Sequence, residues 1–272
     1  MGRLDGKIAI ITGSSSGFGR ETAKLFAKEG ATVVCSGNKP EMKPENFDTD
    51  KTPTHEYINN SGGKSIFVKC NIAEQSEVEN LFTEAVNEFG RVDILFANAG
   101  IYRAGVVTHR QPVEWLDECY KVNIRGTYMC CQAMITRLLK QKSEGSIVVC
   151  CSTSSLNPYP IQAPYSMSKA AVGMLVRTLA IEYGRMGITT NGVCPAASQT
   201  GLAGIRTNFD DDEIRNRVAC RIPVGRWGTA QDTANAALYL VEPKSNFING
   251  VLLPVDGGDI NTLGAFPLYP ME

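Results

Sequence analysis

The sequence predicts an α/β fold: one parallel, doubly wound sheet of about seven strands with helices on both faces. Three observations carry this reading. Short apolar runs recur along the whole chain, helical patterns lie between most of them, and the runs are apolar at consecutive positions, as strands buried on both faces require.

The elements follow in order. KIAIIT at 7–12 is the first strand, followed by TVVCS at 32–36, SIFVKC at 65–70, VDILFA at 92–97, SIVVCC at 146–151, ITTNGVC at 188–194 and VLLPV at 251–255. ETAKLFAKEG, EVENLFTEAVNEFG and a long pattern from about Pro112 to Lys140 read as helices, and a further helix begins near Ala163. Residues 38–57, NKPEMKPENFDTDKTPTHEY, carry three prolines and many charges and read as a solvated loop. Asp210, Asp211, Asp212 and Glu213 read as a helix start, where carboxylates meet the positive end of the dipole. No repeat or low-complexity linker divides residues 1–272, which read as a single domain.

Composition narrows the function classes. A formal net charge of -1, with no long basic run, gives neither a nucleic-acid footprint nor a polybasic membrane anchor. The start MGRLDGKIAIITG has a short apolar run that ends at glycine, so it reads as a strand and not a signal peptide. No stretch reaches the roughly 18 to 20 apolar residues of a membrane span. The expectation is a soluble, cytoplasmic protein acting on a small molecule. Of the nine cysteines, Cys35, Cys70, Cys150, Cys151 and Cys194 fall in or beside strand runs, and Cys130 and Cys131 in a helical pattern. None forms C-x-x-C, and His55 and His109 stand apart from them, so buried free thiols are expected and a metal site is not.

Three motifs carry chemistry. TGSSSGFG at 12–19 stands between the first strand and a helix, where Gly13, Gly17 and Gly19 let backbone approach a pyrophosphate at the helix N-terminus. FANAG at 96–100 puts Asn98, Ala99 and Gly100 at the carboxyl edge of the sheet, where open α/β proteins bind ligands. YSMSK at 165–169 sets Tyr165 and Lys169 four residues apart, on one helix face, so that an ammonium can sit beside a phenol.

The spacing TGxxxGxG, then NAG about eighty residues on, then Y-x-x-x-K, resembles the short-chain dehydrogenase/reductase family over nearly the whole chain, to VDGG at 255–258. The resemblance implies a Rossmann-type fold and a catalytic tetrad of Asn123 in KVNIRG, Ser152 thirteen residues before the tyrosine, Tyr165 and Lys169. It implies that Tyr165 serves as general acid/base for hydride transfer between a secondary alcohol and a ketone. Lys169 and a positive nicotinamide ring would stabilise the phenolate, Ser152 would hold the substrate oxygen, and Asn123 would position a water chain. The implied cofactor is NAD(P), bound along Gly13, Ser15, Ser16, Gly17, Phe18 and Gly19, then Gly37, Asn38, Asn71 and Ile72, then Asn98, Ala99 and Gly100. Tyr165 and Lys169 complete that set with Pro195, Ser198 and Thr200 of CPAASQT, where Ala196 replaces the family's glycine.

The aspartate that marks NAD-specific members is Gly37 here, the basic residues of NADP-specific members are Asn38 and Ser16, and Asn71 replaces an aspartate after the third strand. With no carboxylate to repel a 2'-phosphate, and with Lys39, Ser14, Ser15 and Ser36 nearby, the reading leans to NADP. Tyr102, Arg103, Leu156, Asn157, Tyr159 and a lid at about 201–222 are the implied pocket walls, and they suit a partly apolar or cyclic carbonyl compound. A homotetramer is implied through helices beginning near Pro112 and Ala163, with the tail 259–272 over a neighbouring pocket. The alternative within the family is a dinucleotide-binding sensor or scaffold without catalysis. Epimerases and dehydratases of this fold are disfavoured, since they are usually longer and use TGxxGxxG.

Overall fold

Successive residues of a strand point to opposite faces of its sheet, so a strand covered on both sides needs apolar residues at every position. The computed structural model describes residues 2–41, 49–198, 200 and 222–262. Its strands are β1 (Ile8–Thr12), β2 (Thr32–Gly37), β3 (Lys64–Lys69), β4 (Ile94–Ala97), β5 (Gly145–Cys150), β6 (Ile188–Pro195) and β7 (Leu252–Val255). Its longer helices are α1 (Gly17–Lys28), α2 (Thr54–Asn60), α3 (Gln75–Phe89), α4 (Val113–Cys119), α5 (Thr127–Gln141), α6 (Ala163–Tyr183) and α7 (Ala230–Val241). The seven strands form one parallel sheet in the order β3-β2-β1-β4-β5-β6-β7.

Alternation sends each strand residue to one of two cores. Ile8, Ile10, Val34, Leu95, Ile147 and Val149 pack with Phe82 of α3, Met134 of α5 and Val176 of α6. Ala9, Ile11, Val33, Phe96, Val148 and Val193 pack on the other face with Phe26 of α1, Ile58 of α2 and Leu238 of α7. Burying each large aliphatic or aromatic side chain contributes about 1.5–3 kcal/mol, which makes these two layers the main source of stability. The eight described cysteines are buried and free, and all but Cys119 belong to one of these two cores.

Strand ends differ from the sequence reading by at most two residues. Two helical features differ more. The pattern from Pro112 to Lys140 is helical throughout but not uniform: Tyr120–Gly126 is a π-helical stretch joining α4 to α5. Part of the segment expected to be loop is helix α2, which starts directly after Pro53, because proline fits a helix start where its missing N–H is not needed. Residues 42–48 of that segment, the acidic group at 210–213, the lid apart from Ile222 and the tail beyond Thr262 lie outside the described residues. Among the described residues no helix is long and apolar enough to cross a membrane.

The order reverses at β1, which has β2 on one side and β4 on the other. Connections leave this point in opposite directions, so a crevice opens outside the carboxyl ends of β1 and β4. At the opposite edge Asp93 fixes the register: its Oδ2 accepts from the Ile8 N–H at 2.9 Å, and its Oδ1 accepts from the Arg91 Nε at 2.9 Å. Replacing Asp93 by Ala leaves the buried Ile8 N–H without its acceptor, at an expected cost of about 1–3 kcal/mol. Urea unfolding of the variant measures it, and a change within about 0.5 kcal/mol would contradict this role.

Candidate functional site

The turn after β1 has room only for glycine at two places. Gly13 has φ +66°, and a Cβ there would stand 2.9 Å from Ala99 Cα. A Cβ on Gly19 would stand 2.3 Å from the Gly13 carbonyl oxygen. Ser16 caps α1 in extended conformation without a side-chain capping hydrogen bond, and no acidic residue occupies the first turn. The first N–H groups of α1 and its positive dipole end therefore face the crevice beside a backbone able to approach a phosphate closely.

Thr12 and Asn98 lock this turn to β4. The buried Thr12 hydroxyl oxygen accepts from the N–H groups of Asn98 (3.0 Å) and Ala99 (3.1 Å). The Asn98 amide donates to the carbonyls of Thr12 (2.9 Å) and Gly13 (3.2 Å). Asn98 thus spends its amide donors on shaping the turn. On the far side, Thr200 lies 3.4 Å from where a Gly17 Cβ would be, and Ser198 donates to the Ala196 carbonyl at 3.0 Å. Pro195 ends β6, which brings Pro195, Ser198 and Thr200 to the same edge of the sheet.

At the other end of the crevice, Gly37 closes β2 next to Ser15, while Asn38 and Lys39 are exposed. Asn71 accepts from the Ala73 N–H through its side chain at 3.1 Å, and Ile72 is buried against Gly126. Phe18 packs on the α1 side of the sheet. Two phosphate donors suggested by the sequence are removed. Ser14 is buried and donates to the Ser36 carbonyl at 3.2 Å, and Ser36 is wholly buried because its side chain points into the sheet interior. The charged side chain Arg103 is also committed, paired with Glu118.

A second group of side chains meets at the ends of β4 and β5. Tyr165 and Lys169 lie one turn apart on α6, both buried. Lys169 donates from Nζ to the Cys150 carbonyl at the end of β5, at 2.7 Å. Ser152, two residues beyond that carbonyl, accepts from the Ser154 N–H at 3.1 Å, and its hydroxyl acts on the Tyr165 phenol to lower the pKa. Asn123 lies in the π-helical stretch: its Oδ1 accepts from the Ile101 N–H at 2.8 Å, and its Nδ2 donates to the Ile101 carbonyl (3.0 Å) and Ser168 Oγ (3.0 Å). The Asn123 amide therefore braces the loop after β4 against α6. Gly100 is the point of closest approach, since a Cβ there would be 3.1 Å from Asn123 Oδ1 and 3.8 Å from Lys169 Nζ.

The electrostatics of the pair come from protein groups alone. Burial pushes the Tyr165 phenol above its ordinary range, and although Lys169 and the Ser152 hydroxyl pull it down, burial wins. Burial also opposes charge on Lys169, but coupling to Tyr165 and to the thiols of Cys150, Cys151 and Cys194 outweighs it and holds the ammonium above its usual value. Cys150 itself is pushed up to about 11 by burial, so it is uncharged at neutral pH. Protein groups alone thus give a neutral phenol beside a charged ammonium.

Sequence reading did not single out Gln162, whose buried amide accepts from the Tyr102 phenol and donates to Ser154, nor Thr12 and Ser168. No motif marks Gln162, and Thr12 stands in the glycine motif as the residue before Gly13 without its role being evident. Ser168 lies inside YSMSK, but only the fold shows that it joins Asn123 to the Tyr165 carbonyl.

The family model described as enoyl-(acyl carrier protein) reductase matches residues 13–259. The chain is 34% identical over 258 residues to 3beta-hydroxysteroid dehydrogenase 1 of Eggerthella lenta, covering 94% of each. It is similar to the crystal structure of 3-ketoacyl-(acyl-carrier-protein) reductase from Brucella melitensis complexed with NADH, at TM-score 0.83 and 31% identity, covering 94% of this chain and 99% of that one. A structure from Beutenbergia cavernae with bound NADP at low occupancy matches at TM-score 0.84 and 28% identity, covering 95% and 98%.

Replacing Thr12 by Val keeps the shape but removes the acceptor of two N–H groups, at an expected cost of about 1–3 kcal/mol. Thermal unfolding together with amide exchange at Asn98 and Ala99 checks it. Unchanged protection of both amides would contradict the lock.

Proposed function

The chain belongs to the short-chain dehydrogenase/reductase family, and from that premise we propose that it is an NAD(P)-dependent oxidoreductase interconverting a secondary alcohol and a ketone. The observation that carries this reading is the convergence of Ser152, Tyr165 and Lys169 at the carboxyl edge of the sheet, with Asn123 bracing them. The glycine turn supports a dinucleotide, because glycine at 13 and 19 lets the turn pack tightly on Asn98 and Ala99 while the first turn of α1 keeps its N–H groups free of a side-chain cap. NAD(P), when bound, supplies the hydride acceptor or donor. Gly13, Ser15, Ser16, Gly17, Phe18 and Gly19 would hold its pyrophosphate end, Gly37, Asn38, Asn71 and Ile72 its adenosine end, and Ala99, Gly100, Pro195, Ser198 and Thr200 its nicotinamide end.

Ser152 would hold the substrate oxygen. Tyr165 would give its proton to that oxygen in ketone reduction and accept it in alcohol oxidation, with Lys169 favouring the phenolate and touching the cofactor ribose. The neutral phenol beside Lys169 suits the first direction without further charge. Tyr102, Leu156 and Tyr159 favour a partly apolar or cyclic carbonyl compound, and pairing of Arg103 with Glu118 argues against a carboxylate anchor there. The relative from Eggerthella lenta is a hydroxysteroid dehydrogenase by name, which fits such walls.

At the adenosine end Gly37, Asn38 and Lys39 present no carboxylate, which favours NADP, with the exposed Lys39 as the remaining phosphate donor, since the Ser15 hydroxyl donates to the Lys39 carbonyl. A groove of about 420 Å³ between α4 and α6 is lined by Leu116, Tyr120, Pro164 and Met167, and α6 exposes Met174 and Ile181 further along. These apolar residues support subunit contacts through α4 to α6, as in a homotetramer.

A panel of 2-methylcyclohexanone, a 3-ketosteroid and a short 3-keto ester, each with NADPH and with NADH, tests the activity. Tyr165→Phe is expected to lower turnover by about 10²–10⁴ while keeping the thermal shift given by the cofactor. Turnover equal to wild type would overturn the assignment, and no turnover of the wild type on any member would favour the sensor or scaffold. Lys169 lowers the phenol's pKa, so Lys169→Met is expected to raise it further and move the alkaline limb of ketone reduction to higher pH. A limb that stays in place would count against the pair.

A further inference from the structure

Two loops wall the site on the substrate side: the one after β4 and the one between β5 and α6. They are joined by a buried amide. Gln162, 8% exposed, accepts at Oε1 from the Tyr102 phenol at 2.7 Å and donates from Nε2 to Ser154 Oγ at 2.8 Å. The Ser154 backbone N–H donates in turn to Ser152 Oγ at 3.1 Å. At the other end, the Tyr102 ring meets the Tyr165 ring edge-on, with centroids 4.8 Å apart and planes at 77°. The contacts form one chain that begins on the Tyr165 ring, passes through Tyr102, Gln162 and Ser154, and ends on the Ser152 hydroxyl.

The backbone beside Gln162 adds an independent observation. Ile161 has φ +60°, a conformation unfavourable for a β-branched residue, so the surroundings must impose it. The Gly105 N–H donates to the Ile161 carbonyl at 3.1 Å, a second tie between the same two loops. Strain of this kind persists where packing and hydrogen bonds over-determine the backbone. Here it aims the Gln162 side chain inward between Tyr102 and Ser154.

We propose that Gln162 and Tyr102 are positioning residues for the reaction: together they set the Ser152 hydroxyl and the Tyr165 ring in register with each other. Neither takes part in proton or hydride movement. The inference rests on the reading of Ser152 and Tyr165 given under the proposed function. It adds that the loop after β4 shapes the reacting pair as well as walling the pocket.

The test uses the carbonyl of the panel above that wild type reduces fastest, with wild type, Tyr165→Phe, Gln162→Leu, Tyr102→Phe and the double variant. Gln162→Leu keeps the size and removes the hydrogen bonds to Tyr102 and Ser154 together with a long one to Ser166, while Tyr102→Phe keeps the ring contact and removes one hydroxyl. Gln162→Leu is expected to lower kcat about tenfold with KM within about twofold, since orientation is lost and pocket walls stay. Tyr102→Phe is expected to lower kcat about threefold, and the double variant is expected to be no slower than Gln162→Leu, because one chain is broken once. Ser152 pulls the phenol down, so a misaligned Ser152 moves the alkaline limb of reduction to higher pH. If Gln162→Leu does not fold, judged by its melting curve, Tyr102→Phe carries the test alone through kcat and the pH limb. Wild-type kcat and an unmoved limb in the variants, beside an inactive Tyr165→Phe, would overturn this inference and leave the proposed function standing. No turnover of any panel member, or an active Tyr165→Phe, would overturn the function itself.

Discussion

Lys169 holds its ammonium group inside the protein, where it donates to the Cys150 carbonyl at 2.7 Å in place of the water it has lost. An unpaired charge in that position would cost several kcal/mol. The strand-end carbonyl offsets part of this, and the requirement shapes much around it. β5 must end at Cys150, α6 must carry Lys169 over that end, and a side chain at residue 100 would crowd Asn123 Oδ1, to which a Cβ there would come within 3.1 Å. Asn123 can reach Ile101 and Ser168 together from the widened backbone of the π-helical stretch.

The same burial that keeps Lys169 in place governs Tyr165. Desolvation disfavours a phenolate more strongly than Lys169 and Ser152 favour it, so the phenol stays protonated. A neutral phenol next to a fixed cation is ready to donate. Use as a base calls for another positive charge nearby, and the family's oxidised cofactor carries one. In the proposed reaction the two directions would therefore place different demands on one pair of side chains, and the protein groups alone would meet those of reduction.

The strands were readable because a sheet buried on both faces forces runs such as IAIIT and ILFA, and little else in a chain produces them. The glycine turn and the Tyr165–Lys169 spacing were readable because local geometry dictates both: backbone clearance at Gly13 and Gly19, and one helical turn. The π-helical stretch was hidden, since YKVNIRG keeps an ordinary helical pattern and the wider turn is set by contacts such as Gly126 on Ile72. Helix α7 was passed over as well, although its capping box of Thr229 and Asp232 is a local signal. Gln162 could not have been found, because its role depends on Tyr102, sixty residues away in the chain. The sense of the Tyr165 shift was out of reach for the same reason: charge spacing is local, whereas desolvation is a property of the packed core.

The central claim is that burial keeps Tyr165 protonated and that a cationic partner tips it toward the phenolate. The most direct measurement is a pH titration of Tyr165 by NMR with ¹³C-labelled tyrosine, the Tyr165→Phe spectrum giving the assignment, for the protein alone and with saturating NAD⁺ or NADP⁺. The account predicts a titration above the ordinary tyrosine range for the protein alone, and a lower one with the oxidised cofactor. A Tyr165 that titrates like free tyrosine, and is unmoved by either cofactor, would contradict it.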